Sequence, residues 1–147
     1  MTFVKSFYKH SLSFIISTIL FFNFAYASDA TLTFGEASSG QIEVLYDFQT
    51  DVAGFEFDIT GATVTGADGG AASDAGFEMN TGSSTVLGFS FTGASIPAGS
   101  GVLTVVSYDS ISSPQLSLSL GTGAIVGTSP FGTILSSQVA DTWDHPV

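Results

Sequence analysis

Two short segments between Val52 and Tyr108 repeat one arrangement of apolar and polar positions. Gly54-Phe55-Glu56-Phe57-Asp58-Ile59-Thr60-Gly61-Ala62 is echoed by Gly88-Phe89-Ser90-Phe91-Thr92-Gly93-Ala94. Side chains on a strand alternate between faces, so Phe55, Phe57 and Ile59 share one side, and Glu56 and Asp58 the other. Phe89 and Phe91, extended by Leu87, repeat the apolar side. The pattern predicts two half-buried strands whose rings meet in one core. Two copies are too few for a solenoid.

The same alternation runs through the flanking chain. Thr31-Leu32-Thr33-Phe34 is a short strand ending at Gly35, and Gln41 to Phe48 is the next, with Ile42, Val44, Tyr46 and Phe48 pointing one way. Ala62 to Thr65 continues the first aromatic strand or starts another, and Phe77 and Met79 alternate around Glu78. Residues 85–91 carry the second aromatic strand, and residues 102–108, apolar on both faces, read as a central strand. Leu116, Leu118 and Leu120 alternate with serines, and after a glycine-rich connection residues 133–139 read as a last strand. Residues 66–76 and 95–101, rich in small residues, read as surface loops, and residues 141–147, with the only Trp, as a tail. Eight or nine short strands with turn signals between them, and no helical periodicity, predict an all-β antiparallel sandwich of jelly-roll type.

The first 27 residues have a different character. Lys5 and Lys9 precede an apolar run over residues 12–24, and Ala25-Tyr26-Ala27 offers a small-x-small cleavage site before Ser28. The run is short for a spanning helix and no basic stop follows it. Residues 1–27 are therefore expected to be a cleaved signal peptide, followed by a sandwich over residues 28–140, in a secreted or cell-surface protein.

Removing the leader sharpens the charge balance. Both basic residues lie within it and all 13 acids lie after it, so the remainder carries no Lys or Arg. Nucleic acid, anionic lipid and phosphorylated substrates all require cations that this domain lacks. With no Cys, there is neither a disulfide framework nor thiol chemistry. So many unpaired carboxylates predict a domain adapted to saline or divalent-rich surroundings, where screening is strong.

At the central stretch a resemblance emerges. Val52-Ala53-Gly54-Phe55-Glu56-Phe57-Asp58-Ile59 resembles a characteristic strand of cohesin domains. Val86-Leu87-Gly88-Phe89-Ser90-Phe91, Ile96-Pro97-Ala98-Gly99-Ser100-Gly101 and Val102-Leu103-Thr104-Val105 resemble the later strand, loop and strand of that family. The likeness spans roughly residues 31–139 and is specific between Val52 and Tyr108. It implies a nine-stranded jelly roll, related in fold to some carbohydrate-binding modules, that holds a dockerin-like partner outside the cell. After Ile59 the chain departs from the family, reading Thr60-Gly61-Ala62-Thr63 where cohesins carry a Tyr-Asp-Pro-like turn. No residue here matches the family's partner-gripping surface, so none is assigned to it.

Candidate chemistry is sparse. His145 is the only His after the leader, and a Ser-His-Asp triad built on it has little to orient it. Asp47 with Asp51, or Glu56 with Asp58, resembles a glycosidase pair only in residue type, because no apolar pocket is indicated to raise one pKa. Gly121-Thr122-Gly123 lacks the Lys and helix of a phosphate loop and reads as a turn. Asp47, Asp51, Asp58, Asp68 and Asp74, near glycine-rich loops, are candidate calcium ligands, with solubilising surface acids as the plainer explanation. Trp143 is the candidate platform for sugar stacking. These readings converge on a non-catalytic binding or adhesion module that presents a sheet face to an extracellular protein, with residues 66–76 and 95–101 as rims. Two alternatives stand: a structural subunit of a matrix or surface layer joined through edge strands, and a carbohydrate-binding module retained on polysaccharide.

Overall fold

A computed structural model describes residues 28–145. The expected signal peptide, residues 1–27, and the final residues 146–147 lie outside the described residues. The strands are β1 (Ala30–Ser38), β2 (Gln41–Phe48), β3 (Val52–Thr60), β4 (Thr63–Asp68), β5 (Glu78–Thr81) and β6 (Thr85–Phe89). They continue with β7 (Gly99–Asp109), β8 (Gln115–Ser119), β9 (Ile125–Thr128), β10 (Phe131–Ile134) and β11 (Ser137–Asp144). One helical turn, α1 (Gly70–Asp74), lies between β4 and β5.

The all-β sandwich is confirmed as one curled sheet closed over its own core. One half has the order β1-β2-β7-β4. In the other half β5 pairs with β6 and β6 with β3, while the far edge of β3 is shared by β8 and β9. β8 continues to β11, and β9 to β10. The halves join where β1 runs parallel to β11, with Leu32 opposite Val139, whereas the other described pairs are antiparallel. Beyond Leu32 the two strands separate, and the Phe34 N–H donates instead to Asp141 Oδ2 at 2.8 Å. A carboxylate thus satisfies a main-chain donor that the ladder has left behind.

Inward residues from both halves form one core. Leu32, Ile42, Val44, Phe48, Leu103 and Val106 come from the first half, and Phe55, Phe57, Ile59, Val86, Leu116, Leu118 and Ile125 from the second. Phe55 stacks between Phe57 and Phe77, with ring centroids at 5.8 and 6.1 Å. As expected of a central strand, β7 is paired on both edges, by β2 and β4. Its buried Thr104 hydroxyl donates to the Asp68 carbonyl at 3.2 Å.

Four expectations are corrected. Residues 66–76 are not merely a surface loop: β4 runs on to Asp68, and α1 places Ala72 at 0% exposure. Small side chains let this turn lie close against β7, and a run of small residues carries no periodicity to reveal it. The expected tail from residue 141 is strand as far as Asp144, because β11 reaches that residue and pairs Trp143 opposite Leu116, where the half-buried indole packs on the core. The glycine-rich stretch after Leu120 contains the hairpin β9–β10. Most consequentially, the second aromatic motif faces the other way. In β6 it is Val86 and Gly88 that are buried, while Phe91 is 82% exposed. The Phe55 ring occupies the space above Gly88, leaving no room for a Cβ there. β6 can turn only its glycine inward at that point, so Leu87 and Phe89 go outward.

Candidate docking face

Because Phe55, Phe57 and Ile59 point into the core, Gly54, Glu56 and Asp58 face out. Directly opposed pairs extend this outer surface in rows. Glu78, Phe89, Gly54 and Val126 form one row across β5, β6, β3 and β9. Asn80, Leu87 and Glu56 form the next. Thr85, Asp58, Ser119 and Ala140 form a third, in which the Thr85 hydroxyl donates to Asp58 Oδ1 at 2.7 Å.

The second row is open on one side. β8 and β9 both lie along β3, but residues 120–124 leave it between them, and the Glu56 N–H is taken by the Ala124 carbonyl at 2.9 Å. Gly123 packs so tightly on the Glu56 carbonyl that no side chain fits there. The result is a groove of about 390 Å³ above Gly54, walled by Leu87 and Phe89 on one side and by Ala124, Val126 and Phe131 on the other. Phe131 on β10 is 82% exposed, as is Phe91, which stands edge-on to Phe89 with centroids 4.8 Å apart. Ile134, further along the same edge strand, is 71% exposed.

Exposed apolar side chains grouped on one face mark a binding surface far better than scattered ones do. Here the group is rimmed by Glu56, Glu78 and Asp58, in a domain with no Lys or Arg to offset them. The face is therefore apolar at its centre and negative at its margin.

The five candidate calcium ligands are dispersed. Asp47 accepts from Gln49 Nε2 at 2.8 Å, and Asp51 from the Ala98 N–H at 3.0 Å. Asp58 faces Thr85 as described. Asp68 accepts from the Gly69 N–H at 2.7 Å and from the Ser73 hydroxyl at 2.9 Å, and these bonds hold its pKa below the ordinary aspartate value. Asp74 ends α1. Among the described residues no three Asp, Glu or His side chains stand together as a metal site. The catalytic candidates are equally separate from any such group. The His145 N–H donates to the Pro114 carbonyl at 2.8 Å, and its ring lies edge-on to Trp143 at 5.5 Å. Trp143 is therefore not a free stacking platform. Among the described residues the strongly exposed phenylalanines are Phe91 and Phe131, the first of which alternation assigns to the core and the second to a connection.

No family model matches the chain, and no curated protein matches it. Solved structures do. A non-cellulosomal cohesin from the hyperthermophilic archaeon Archaeoglobus fulgidus superposes with a TM-score of 0.58 at 16% identity, over 81% of this chain and 92% of that one. A chain in the crystal structure of a CaDoc0917–CaCohA2 complex gives 0.54 at 16% identity, over 80% and 99%. The solution structure of CaCohA2 from Clostridium acetobutylicum gives 0.53 at 15% identity, over 79% and 90%. The domain has a cohesin-like fold.

Proposed function

We propose that this protein is a non-catalytic binding module, exported by its leader, that captures a dockerin-like partner domain on the outer face of β5, β6, β3, β8 and β9. The observation that carries this reading is the groove above Gly54 with its exposed phenylalanines, on a fold shared with cohesins. One of those similar structures is itself a complex. Leaving Phe91 and Phe131 in water gives up burial on the order of 2 kcal/mol each, a cost that a folded domain recovers only when something covers them. The test is calorimetric titration of the protein with purified dockerin domains from its own source. Binding in the micromolar range or tighter is expected, weakened at least about tenfold by Phe89→Ala with Phe131→Ala. If every dockerin domain fails to bind, or if the double variant binds as well as the parent, the assignment is wrong.

Edge strand β10 favours a second reading. It is exposed along its length and carries Phe131 and Ile134 without Lys or Pro to block pairing, as a self-assembling matrix subunit would. Sedimentation at rising protein concentration separates the two: a stable monomer rules out assembly, and concentration-dependent growth supports it. The carboxylates impose mutual repulsion on any such contact.

A further inference from the structure

Gly54 sits where β3 slips register against β9, between Val52 and Gly54, a place that glycine favours, yet the strand there has room for a side chain. It lies inside β3, where glycine weakens a strand and commonly marks close approach by a ligand or another backbone. Its φ is not positive, unlike those of the turn glycines. A Cβ built on it would meet only the Gly88 carbonyl oxygen at 3.4 Å and the Phe89 Cβ at 4.0 Å, which are ordinary contacts. The backbone thus accepts alanine at position 54, whereas at Gly88, one strand away, the Phe55 ring forbids it. What the missing side chain does shape is the floor of the groove. In the row Glu78–Phe89–Gly54–Val126, glycine leaves a bare seat between two apolar walls, with Phe131 and Glu56 also lining the groove and Glu78 one strand beyond Phe89.

Resting on the binding-module reading, we propose that Gly54 is the specificity-determining seat of this face, and that its occupant is an apolar side chain of a polypeptide partner flanked by Lys or Arg. The seat accepts an apolar group because its walls are carbon. The flanking cation follows from charge complementarity: Glu56 lines the groove, Glu78 stands on β5 just beyond its Phe89 wall, and the domain supplies no cation of its own to neutralise them. A second copy of this chain is a poor occupant, since it brings only like charge. A neutral polysaccharide gains nothing from the acidic rim.

A random peptide display library selected on the purified protein tests the proposal, with binders re-measured on Gly54→Ala, Gly54→Leu and the double variant E56Q/E78Q. The selected pool is expected to be enriched in Lys or Arg beside Leu, Met or Phe. Affinity should fall on Gly54→Leu by about tenfold or more, the scale of one lost anchor. The double variant should lose most of the salt dependence seen between about 0.05 and 0.5 M NaCl. Gly54→Ala should fold with a melting temperature equal to or above the parent's, so that a binding loss in Gly54→Leu reports the groove and not unfolding. A pool without cationic enrichment, or binders indifferent to Gly54→Leu, overturns the seat while leaving a protein-binding role intact. No enrichment at all, together with retention on insoluble polysaccharide, overturns the binding-module reading as well.

Discussion

Phe57 and Phe91 occupy matching places in two motifs that look alike in sequence, and replacing each with alanine should have opposite consequences. Phe57 is fully buried, opposite Val86 and stacked on Phe55. Removing its ring forfeits transfer free energy and leaves a cavity that the surrounding strands cannot fill, a cost of about 3–5 kcal/mol. Against a total stability of about 5–15 kcal/mol, that lowers the melting temperature by roughly 10–20 °C. Phe91, 82% exposed and touching Phe89 edge-on, should cost no more than about 0.5 kcal/mol, the range of ordinary surface substitutions. Denaturant titration followed by circular dichroism and tryptophan emission measures both, since Trp143 is the only tryptophan and packs on the core. Equal destabilisation by the two substitutions, or a stable Phe57→Ala, would refute the assignment of inner and outer faces.

The remaining predictions follow from single contacts. Gly88→Ala places a methyl group inside the Phe55 ring and should destabilise by about 1–3 kcal/mol in urea titration, whereas Gly54→Ala should not. Asp141→Ala strands the Phe34 N–H where β1 leaves β11 and should cost about 1–3 kcal/mol, with Asp141→Asn recovering part of it through its carbonyl. Burial raises the Tyr108 pKa above its ordinary value of 10.0, so the folded state holds the phenol proton more tightly than the unfolded state. The resulting stability is intact below about pH 10 and lost as pH rises through the folded value, and Tyr108→Phe should flatten that alkaline limb in melting curves. The lowered pKa of Asp68 acts oppositely: its stabilisation is present above the ordinary value of 3.8 and lost as pH falls below it, and the loss should appear first as faster amide exchange in α1. With carboxylates dispersed, NaCl and CaCl2 at equal ionic strength should raise the melting temperature equally, and saturable calcium binding in calorimetry would contradict this.

Most of the architecture was legible because alternation is a strong signal wherever one face is wet. Alternation over Gln41 to Phe48 matches the limits of β2, and it puts Phe55, Phe57 and Ile59 on the buried side of β3. The signal failed where both faces are apolar or neither is. In Val86-Leu87-Gly88-Phe89 the inward set is Val and Gly and the outward set Leu and Phe, and side-chain size alone points to the wrong one. Only the ring of Phe55, on a neighbouring strand, decides between them. The small-residue run leading into α1 and the glycine-rich run holding β9 were lost for the complementary reason, having too few large side chains to show a period.

These failures are not scattered evenly over the molecule. Phe89 facing outward, the break at residues 120–124 between two strands that share the edge of β3, Phe131 of the exposed β10 and the glycine at position 54 all meet at one groove, with Phe91 edge-on to Phe89 beside it. Each departs from what the fold alone would favour: carbon in water, an interrupted ladder, an unguarded edge, a weakened strand. Local rules and global fold agree through most of a natural domain, and disagreement gathers where something other than folding is being served. The half β1-β2-β7-β4 is corrected only at the end of β4 and the turn α1, and in none of its faces, while the other half is corrected in the face of β6, in the β9–β10 hairpin and in the reach of β11. That asymmetry supports the proposed docking face by an argument separate from any relative, because it rests on which of this chain's own residues are badly spent unless a partner covers them.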